Sequence, residues 1–187
     1  RRPRQLPQPA GSQVEGWSKP ARCIAGLATI FVALSLVPAG AHLFELPHKL
    51  WLATDEYMRV QQIYRGWSLF GFVVIPAILL SLVHAVMLRR SASRSFRWAL
   101  AGFLCMSLGH VVFWMFTYPT NVLTENWTRM PAAFDAVRLQ WEVSHAVNAL
   151  LSFAALTCLV VSILSKRRPD ELEEREPYTE RCAARSV

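Results

Sequence analysis

Four long apolar runs are the feature that most constrains the fold of this chain. They cover approximately residues 23–45, 67–88, 96–118 and 139–164. Each run is at or above the roughly 20 residues that a helix needs to cross a hydrocarbon core of about 30 Å. Hydrophobic residues make up 53% of the chain, which is too apolar for a small soluble domain to bury. We therefore expect an all-α protein, a transmembrane four-helix bundle surrounded by the lipid bilayer.

Basic residues predict the orientation of this bundle. Twelve Lys and Arg residues lie in the N-terminal tail, around the hinge between the second and third runs and directly after the fourth run (166–168), against five in the two opposite loops. The positive-inside rule then places both termini in the cytoplasm. We expect a cytoplasmic tail (1–21), a four-span membrane domain (22–165) and a second cytoplasmic tail (166–187), in a bacterial inner (plasma) membrane. These basic flanks account for the net charge of +7, so no nucleic-acid partner is expected.

Two mirrored pairs of polar residues lie at the ends of the first and fourth runs, His42-x-x-Glu45 and Glu142-x-x-His145. A spacing of three residues puts both side chains of a pair on one face of a helix. Helix bundles build metal sites from such pairs on facing helices. Pro47 is expected to end the first helix just after Glu45, because proline cannot continue the hydrogen-bond ladder. Both pairs should then lie near the outer face of the membrane.

A third histidine, His110, lies about 12 Å below the outer end of the third run at 1.5 Å per helical residue. Polar residues recur around it at helical spacing, which predicts a stripe that faces the bundle interior. The stripe comprises Ser107, His110, Trp114 and Thr117, and the fourth run carries a similar stripe of Glu142, His145, Asn148 and Ser152. Because ionised groups inside a membrane cost up to about 2.5 to 3.5 kcal/mol, we expect these side chains to find partners in one another or in a ligand.

Each polar residue also has a structural interpretation. Glu45 and Glu142 can be interfacial residues exposed to water, in ion pairs with Arg65 or Arg138. A single histidine near the interface is more often a hydrogen-bonding belt residue than a ligand. His84 lies near the cytoplasmic end of the second run, remote from the other histidines, and is expected to be structural.

Four segments of the chain resemble a family of small four-span membrane proteins that is related to the anthrone oxygenases. The segments are GAHLFELP (40–47), VQQIYRGW (60–67), NWT (126–128) and LQWEVSHAVN (139–148). The resemblance covers about residues 22–165 and implies a four-helix membrane protein, some of whose relatives oxidise anthrone-type aromatic compounds to quinones with dioxygen. The matching positions are His42, Glu45, Gln61, Arg65, Asn126, Trp127, Trp141, Glu142, His145 and Asn148. His110 matches none of these segments.

Two mechanisms are open for an oxygenase at this site. In the first, His42, Glu45, Glu142 and His145 bind a transition metal, with His110 as an extra ligand or proton relay. This set of nitrogen and oxygen ligands does not distinguish iron, copper, manganese or zinc. In the second, which needs no metal, a histidine or Glu142 removes a benzylic proton. The resulting phenolate or enolate is then held by Arg65, Trp141 and Asn148.

Our preferred function is an integral membrane oxidoreductase or oxygenase-like enzyme that acts on a lipophilic aromatic or quinone-like substrate. One alternative is an electron carrier in which two histidines, such as His110 and His145, ligate haem b. Another is a non-enzymatic accessory or assembly subunit, whose polar stripe packs against a membrane protein partner or a second copy of the chain.

Overall fold

A computed structural model describes residues 17–90 and 93–165. Helix α1 (Lys19–Lys49) leads through a short helix α2 (Thr54–Val60) and two 3₁₀ turns (Gln61–Tyr64 and Trp67–Phe70) into α3 (Gly71–Leu88). Helix α4 (Ser93–Val112) continues through one π-helical turn (Phe113–Thr117) into α5 (Tyr118–Leu123), and α6 (Phe134–Leu164) follows. The tails predicted at 1–21 and 166–187 lie almost entirely outside the described residues.

Four helical segments are long and apolar enough to cross a membrane, which confirms the number of spans predicted. They are Lys19–Lys49, Trp67–Leu88, Arg94–Leu123 and Phe134–Leu164. The second matches its predicted bounds, whereas the other three extend beyond the apolar runs. Extra helical turns at their ends carry polar residues, which a hydropathy pattern does not count as part of a span.

Helix α1 differs from the prediction because it does not end before Pro47. It runs on to Lys49, with Pro38 and Pro47 both inside it. A proline removes only its own N–H from the ladder, and the backbone N–H of Leu50 still bonds to the carbonyl of Leu46 at 3.2 Å. The extra turn brings Lys49 onto the same helical face as His42 and Glu45.

The four long helices form a ring in which α6 packs against α1 and α4, and α3 packs against the same two helices. Small residues allow this close approach. A Cβ atom added at Gly102 of α4 would lie 3.2 Å from the carbonyl oxygen of Ala155 and 3.1 Å from Leu159 Cδ2, both on α6. Tight packing of small residues is the usual way in which helices associate in lipid.

Helix α1 ends, and α6 begins, at the same end of the bundle, which we call the site end. Here Pro119 has no N–H, and its ring conflicts with the preceding turn, which explains the neighbouring π-helical turn. The side-chain amide of Gln140 on α6 donates to the carbonyl of Phe116 in this turn at 2.9 Å. The irregular backbone is therefore satisfied by a neighbouring helix.

Three consecutive residues after α5 adopt the left-handed conformation. The φ angles are 51° at Glu125, 57° at Asn126 and 65° at Trp127. Each such non-glycine residue costs roughly 1–2 kcal/mol. The turn is held by Thr124, whose hydroxyl accepts from the Trp127 backbone N–H at 3.1 Å. It is also held by the 2.7 Å hydrogen bond from the Asn126 N–H to the Asn121 carbonyl.

At the opposite end of the bundle, His84 is 1% exposed and lies 3.3 Å from the hydroxyl of Ser162. That hydroxyl donates in turn to the carbonyl of Ser95 at 2.8 Å. These contacts tie α3, α6 and the start of α4 together, as the structural interpretation of His84 expects.

Candidate functional site

The histidines of the two predicted pairs meet at the site end. The rings of His42 on α1 and His145 on α6 have their centroids 4.2 Å apart. Trp141 lies one turn from His145, and its ring is 3.9 Å from that of His145 and 5.0 Å from that of His42. Tyr64 and Trp67 complete the group, with their centroids 4.5 Å and 5.3 Å from His42. We call these five rings the aromatic cluster.

Beside the aromatic cluster lies a buried ion pair. Lys49 and Glu142 are 3% and 1% exposed, and Lys49 Nζ is 2.9 Å from Glu142 Oε1. Lys49 also donates to Gln61 Oε1 at 3.4 Å and to the Tyr64 hydroxyl at 3.3 Å. Three acceptors thus face the three N–H groups of the ammonium.

A closed ring of hydrogen bonds surrounds this ion pair. The Gln61 amide donates to the Tyr57 hydroxyl at 2.5 Å, and Tyr57 donates to Glu142 Oε1 at 2.8 Å. Since Lys49 donates to both Glu142 and Gln61, the hydrogen bonds among the four side chains form a closed ring. We call Lys49, Tyr57, Gln61 and Glu142 the charged cluster.

Glu45 joins the charged cluster through Tyr64, whose hydroxyl donates to Glu45 Oε2. Burial first, and the hydrogen bond to Glu45 second, raise the pKa of Tyr64 far above its usual range. Burial and then the charge of Glu142 raise the pKa of Tyr57 in the same direction. Both phenols therefore stay protonated and act as hydrogen-bond donors to the two carboxylates.

Some polar atoms in this region are buried and have no hydrogen-bond partner within residues 17–90 and 93–165. They include His42 Nδ1, Glu142 Oε2 and the indole Nε1 of Trp127. Most buried polar atoms in proteins are paired, so three such atoms in one region indicate a place where a ligand or water can bond.

The contacts of His145 determine which of its nitrogens is free. Its Nδ1 lies 2.9 Å from the backbone carbonyl of Trp141, and a carbonyl only accepts, so Nδ1 carries a hydrogen. In the neutral ring, Nε2 then carries the lone pair. Trp141 is itself fixed, because its indole N–H donates to Asn121 Oδ1 at 2.8 Å.

Other predicted site residues lie outside both clusters. Arg65 is exposed and donates to Gln62 at 2.9 Å. His110 accepts from Trp114 at 2.9 Å, and its ring contacts are with Phe113 and Trp114 of its own segment. Asn148 faces α4, where its Oδ1 would be 2.6 Å from a Cβ atom placed at Gly109.

The residues predicted to bind a metal do not converge as a metal centre requires. Among the described residues, no group of three or more His, Cys, Asp or Glu side chains is placed to hold a metal ion. Glu142 Oε1 faces the Lys49 ammonium, which would repel a second cation, and Glu45 accepts from Tyr64. These contacts give the metal hypothesis no support, and it stays a prediction, as does the haem b alternative.

The ion pairs expected for the two glutamates also differ from those found. Glu142 pairs with Lys49, whereas Arg138 pairs with Asp135 at 3.1 Å and donates to the Leu52 carbonyl. Lys49 was not predicted as a site residue because Pro47 was expected to end the helix before it. Its position four residues after Glu45 was the available signal.

Together, the two clusters place unpartnered polar atoms of His42 and Glu142 beside the Lys49–Glu142 ion pair and next to the rings of the aromatic cluster. Such a site can accept a proton from an aromatic ligand and balance the anion that this leaves behind. No family model matches this chain, and comparisons with curated proteins and with solved structures found no match.

Proposed function

We propose that this protein is an integral membrane oxygenase-like enzyme that removes a proton from a lipophilic aromatic substrate at the charged cluster. The observation that carries the proposal is the buried Lys49–Glu142 pair, in which Glu142 Oε2 has no partner among the described residues. Burying a charged pair in a membrane protein is costly, and such residues usually serve a function.

The ion pair suits proton removal because the total charge of the site stays constant. When Glu142 takes a proton from a carbon acid, its negative charge moves to the substrate. The Lys49 ammonium, which was balanced by Glu142, then stabilises the new enolate or phenolate. Tyr57 stays hydrogen-bonded to Glu142 throughout and keeps the carboxyl in place.

His42 and His145 supply two further nitrogens beside this carboxyl. The lone pair on His145 Nε2 and the unpartnered Nδ1 of His42 can bond the substrate or take up its proton. The aromatic cluster contributes ring faces and edges to a planar substrate, since aromatic rings pack favourably at offset or perpendicular angles.

The oxidation requires dioxygen as co-substrate. The carbanion adds dioxygen to give a peroxide anion, which takes back the one proton that was removed. The hydroperoxide then loses its remaining C–H proton as the O–O bond breaks, so that a methylene group and dioxygen yield a carbonyl group and water. A substrate of this kind is apolar enough to enter from the bilayer. We propose that the site end faces the outside of a bacterial inner membrane, with both termini in the cytoplasm, because the basic residues are concentrated at the other end.

The proposal is tested with protein purified in lipid nanodiscs and supplied with anthrone and dioxygen. Quinone absorbance and oxygen uptake should rise together in a ratio of one to one. We expect Glu142→Gln to lower kcat at least about a hundredfold, the scale of a lost general base. Asp135→Asn is the matched control, since this exposed carboxylate lies on the same helix and pairs with Arg138.

Three results would overturn the proposal. Equal rates for the Glu142→Gln and wild-type proteins would remove Glu142 from the chemistry. No turnover, together with a stoichiometric membrane protein partner in the purified material, would favour the accessory subunit instead. A Soret absorption band would favour the haem b carrier.

A further inference from the structure

Trp127 is held over the charged cluster by the left-handed turn at residues 125–127. Its side chain is 4% exposed, and its ring lies 5.2 Å from that of Tyr57 and 5.8 Å from that of Trp141. The amide of Gln62 donates to the Trp127 backbone carbonyl at 2.6 Å. This hydrogen bond fastens the turn to the segment between α1 and α3, which carries Tyr57.

The indole N–H of Trp127 is a donor without an acceptor in the part of the chain that the structure describes. The neighbouring indole of Trp141 behaves differently, because its N–H donates to Asn121 at 2.8 Å. An indole nitrogen can only donate, so the group that satisfies Trp127 must bring an acceptor. A buried tryptophan N–H normally has such a partner.

Strain in the backbone is a second, independent observation at this residue. Three successive non-glycine residues with positive φ are uncommon, and strained conformations of this kind collect at ligand-binding and catalytic sites. A tryptophan that only fills an apolar core could be placed there by a regular helix, without the energetic cost of this left-handed turn.

We propose that the Trp127 indole N–H is the hydrogen-bond donor for a carbonyl or phenolate oxygen of an aromatic ligand. This inference rests on the proposed function and adds the residue that binds an oxygen of its ligand. Glu142 Oε2 and His42 Nδ1 are also buried without a hydrogen-bond partner among the described residues, and under the proposed function they take the acidic hydrogen of the same ligand. A hydroxylated aromatic ketone meets both requirements.

The test compares two ligands and two substitutions by titration calorimetry. Anthraquinone carries carbonyl oxygens, whereas anthracene has the same three rings and no oxygen. Trp127→Phe removes the N–H and keeps a ring, and we expect it to weaken anthraquinone binding about tenfold while leaving anthracene binding unchanged. Trp51→Phe is the control, because Trp51 is 89% exposed on the same side of the bundle.

The two possible failures can be told apart. If Trp127→Phe leaves anthraquinone binding unchanged while Glu142→Gln abolishes turnover, the N–H meets only water or a neighbouring ring and the inference falls alone. An equal loss for both ligands would show that Trp127 acts only through packing, which also overturns the inference. If the wild-type protein binds anthraquinone no better than anthracene and turns over no anthrone, the proposed function falls with it. Thermal unfolding of each variant checks that the loop is intact.

Discussion

Replacing Lys49 with methionine tests how much the buried ion pair contributes to stability. Methionine keeps most of the length of the side chain and removes the charge. Lys49 makes three hydrogen bonds and lies 4.5 Å from the centre of the Trp141 ring. The substitution leaves Glu142 buried without a counter-charge, and breaking a buried pair in this way costs about 3–5 kcal/mol. We expect Lys49→Met to lower the free energy of unfolding by that amount.

A double-mutant cycle separates the ion pair from the packing of the lysine stem. Replacing both charges at once, with Lys49→Met and Glu142→Gln, is expected to cost less than Lys49→Met alone, because no unpaired charge is left. Unfolding in mixed detergent micelles containing increasing amounts of dodecyl sulfate gives each free energy. The control cycle uses Arg138 and Asp135, a pair whose carboxylate is 87% exposed. Its coupling energy should stay below about 1 kcal/mol.

The reasoning is refuted if the two substitutions at Lys49 and Glu142 are additive. Additivity would mean that the two groups do not interact across 2.9 Å, and that Glu142 has another source of compensation. A bound cation would be such a source, so this result would revive the metal hypothesis.

The remaining predictions concern packing, pH and metal content. Gly102→Val should destabilise the bundle by about 1–3 kcal/mol, because the added side chain would meet α6. Gly26→Val should cost much less, since nothing lies within 4 Å of a Cβ atom added there, and unfolding in mixed micelles measures both free energies. Tyr57 and Tyr64 have raised pKa values, so the stability that they contribute is present below their ordinary pKa of about 10 and falls as the pH rises above it. Ultraviolet titration near pH 11 should therefore show no ionisation of these two phenols. Under the metal hypothesis, elemental analysis of gently extracted protein should find a transition metal that is lost in His42→Ala, and a ratio near zero in the wild-type protein would reject it.

The architecture could be predicted from the sequence because a membrane span needs only length and apolar composition. Four apolar runs correspond to four helices that could span a membrane, and His42 and His145, one from each polar pair, have their ring centroids 4.2 Å apart. The ends of the helices were harder to predict from the sequence. Pro47 indicated a helix end, yet the turn after it is kept because the rest of the hydrogen-bond ladder remains intact.

The partners of the two glutamates could not be predicted in the same way. The sequence shows that a buried carboxylate needs a counter-charge, but a metal, an arginine or a lysine would each serve. Which one is used depends on how the loops fold over the helix ends. Tyr57 and Gln61 come from a seven-residue helix and a 3₁₀ turn that hydropathy does not detect. Trp127 depends on a left-handed turn of three residues, of which Asn126 alone is of a type that favours positive φ.

The charged cluster also has a consequence for how the protein is made. Tyr57 and Glu142 are 85 positions apart in the chain, and Lys49 precedes both. Since synthesis runs from the N-terminus, α1 is delivered to the bilayer before α6 exists. A nascent chain that ends before α6 therefore carries Lys49 without Glu142, and the ammonium group must stay at the water boundary or be shielded by the insertion machinery. When α6 inserts, Glu142 supplies the counter-charge to Lys49, so the charged cluster forms only with the last helix.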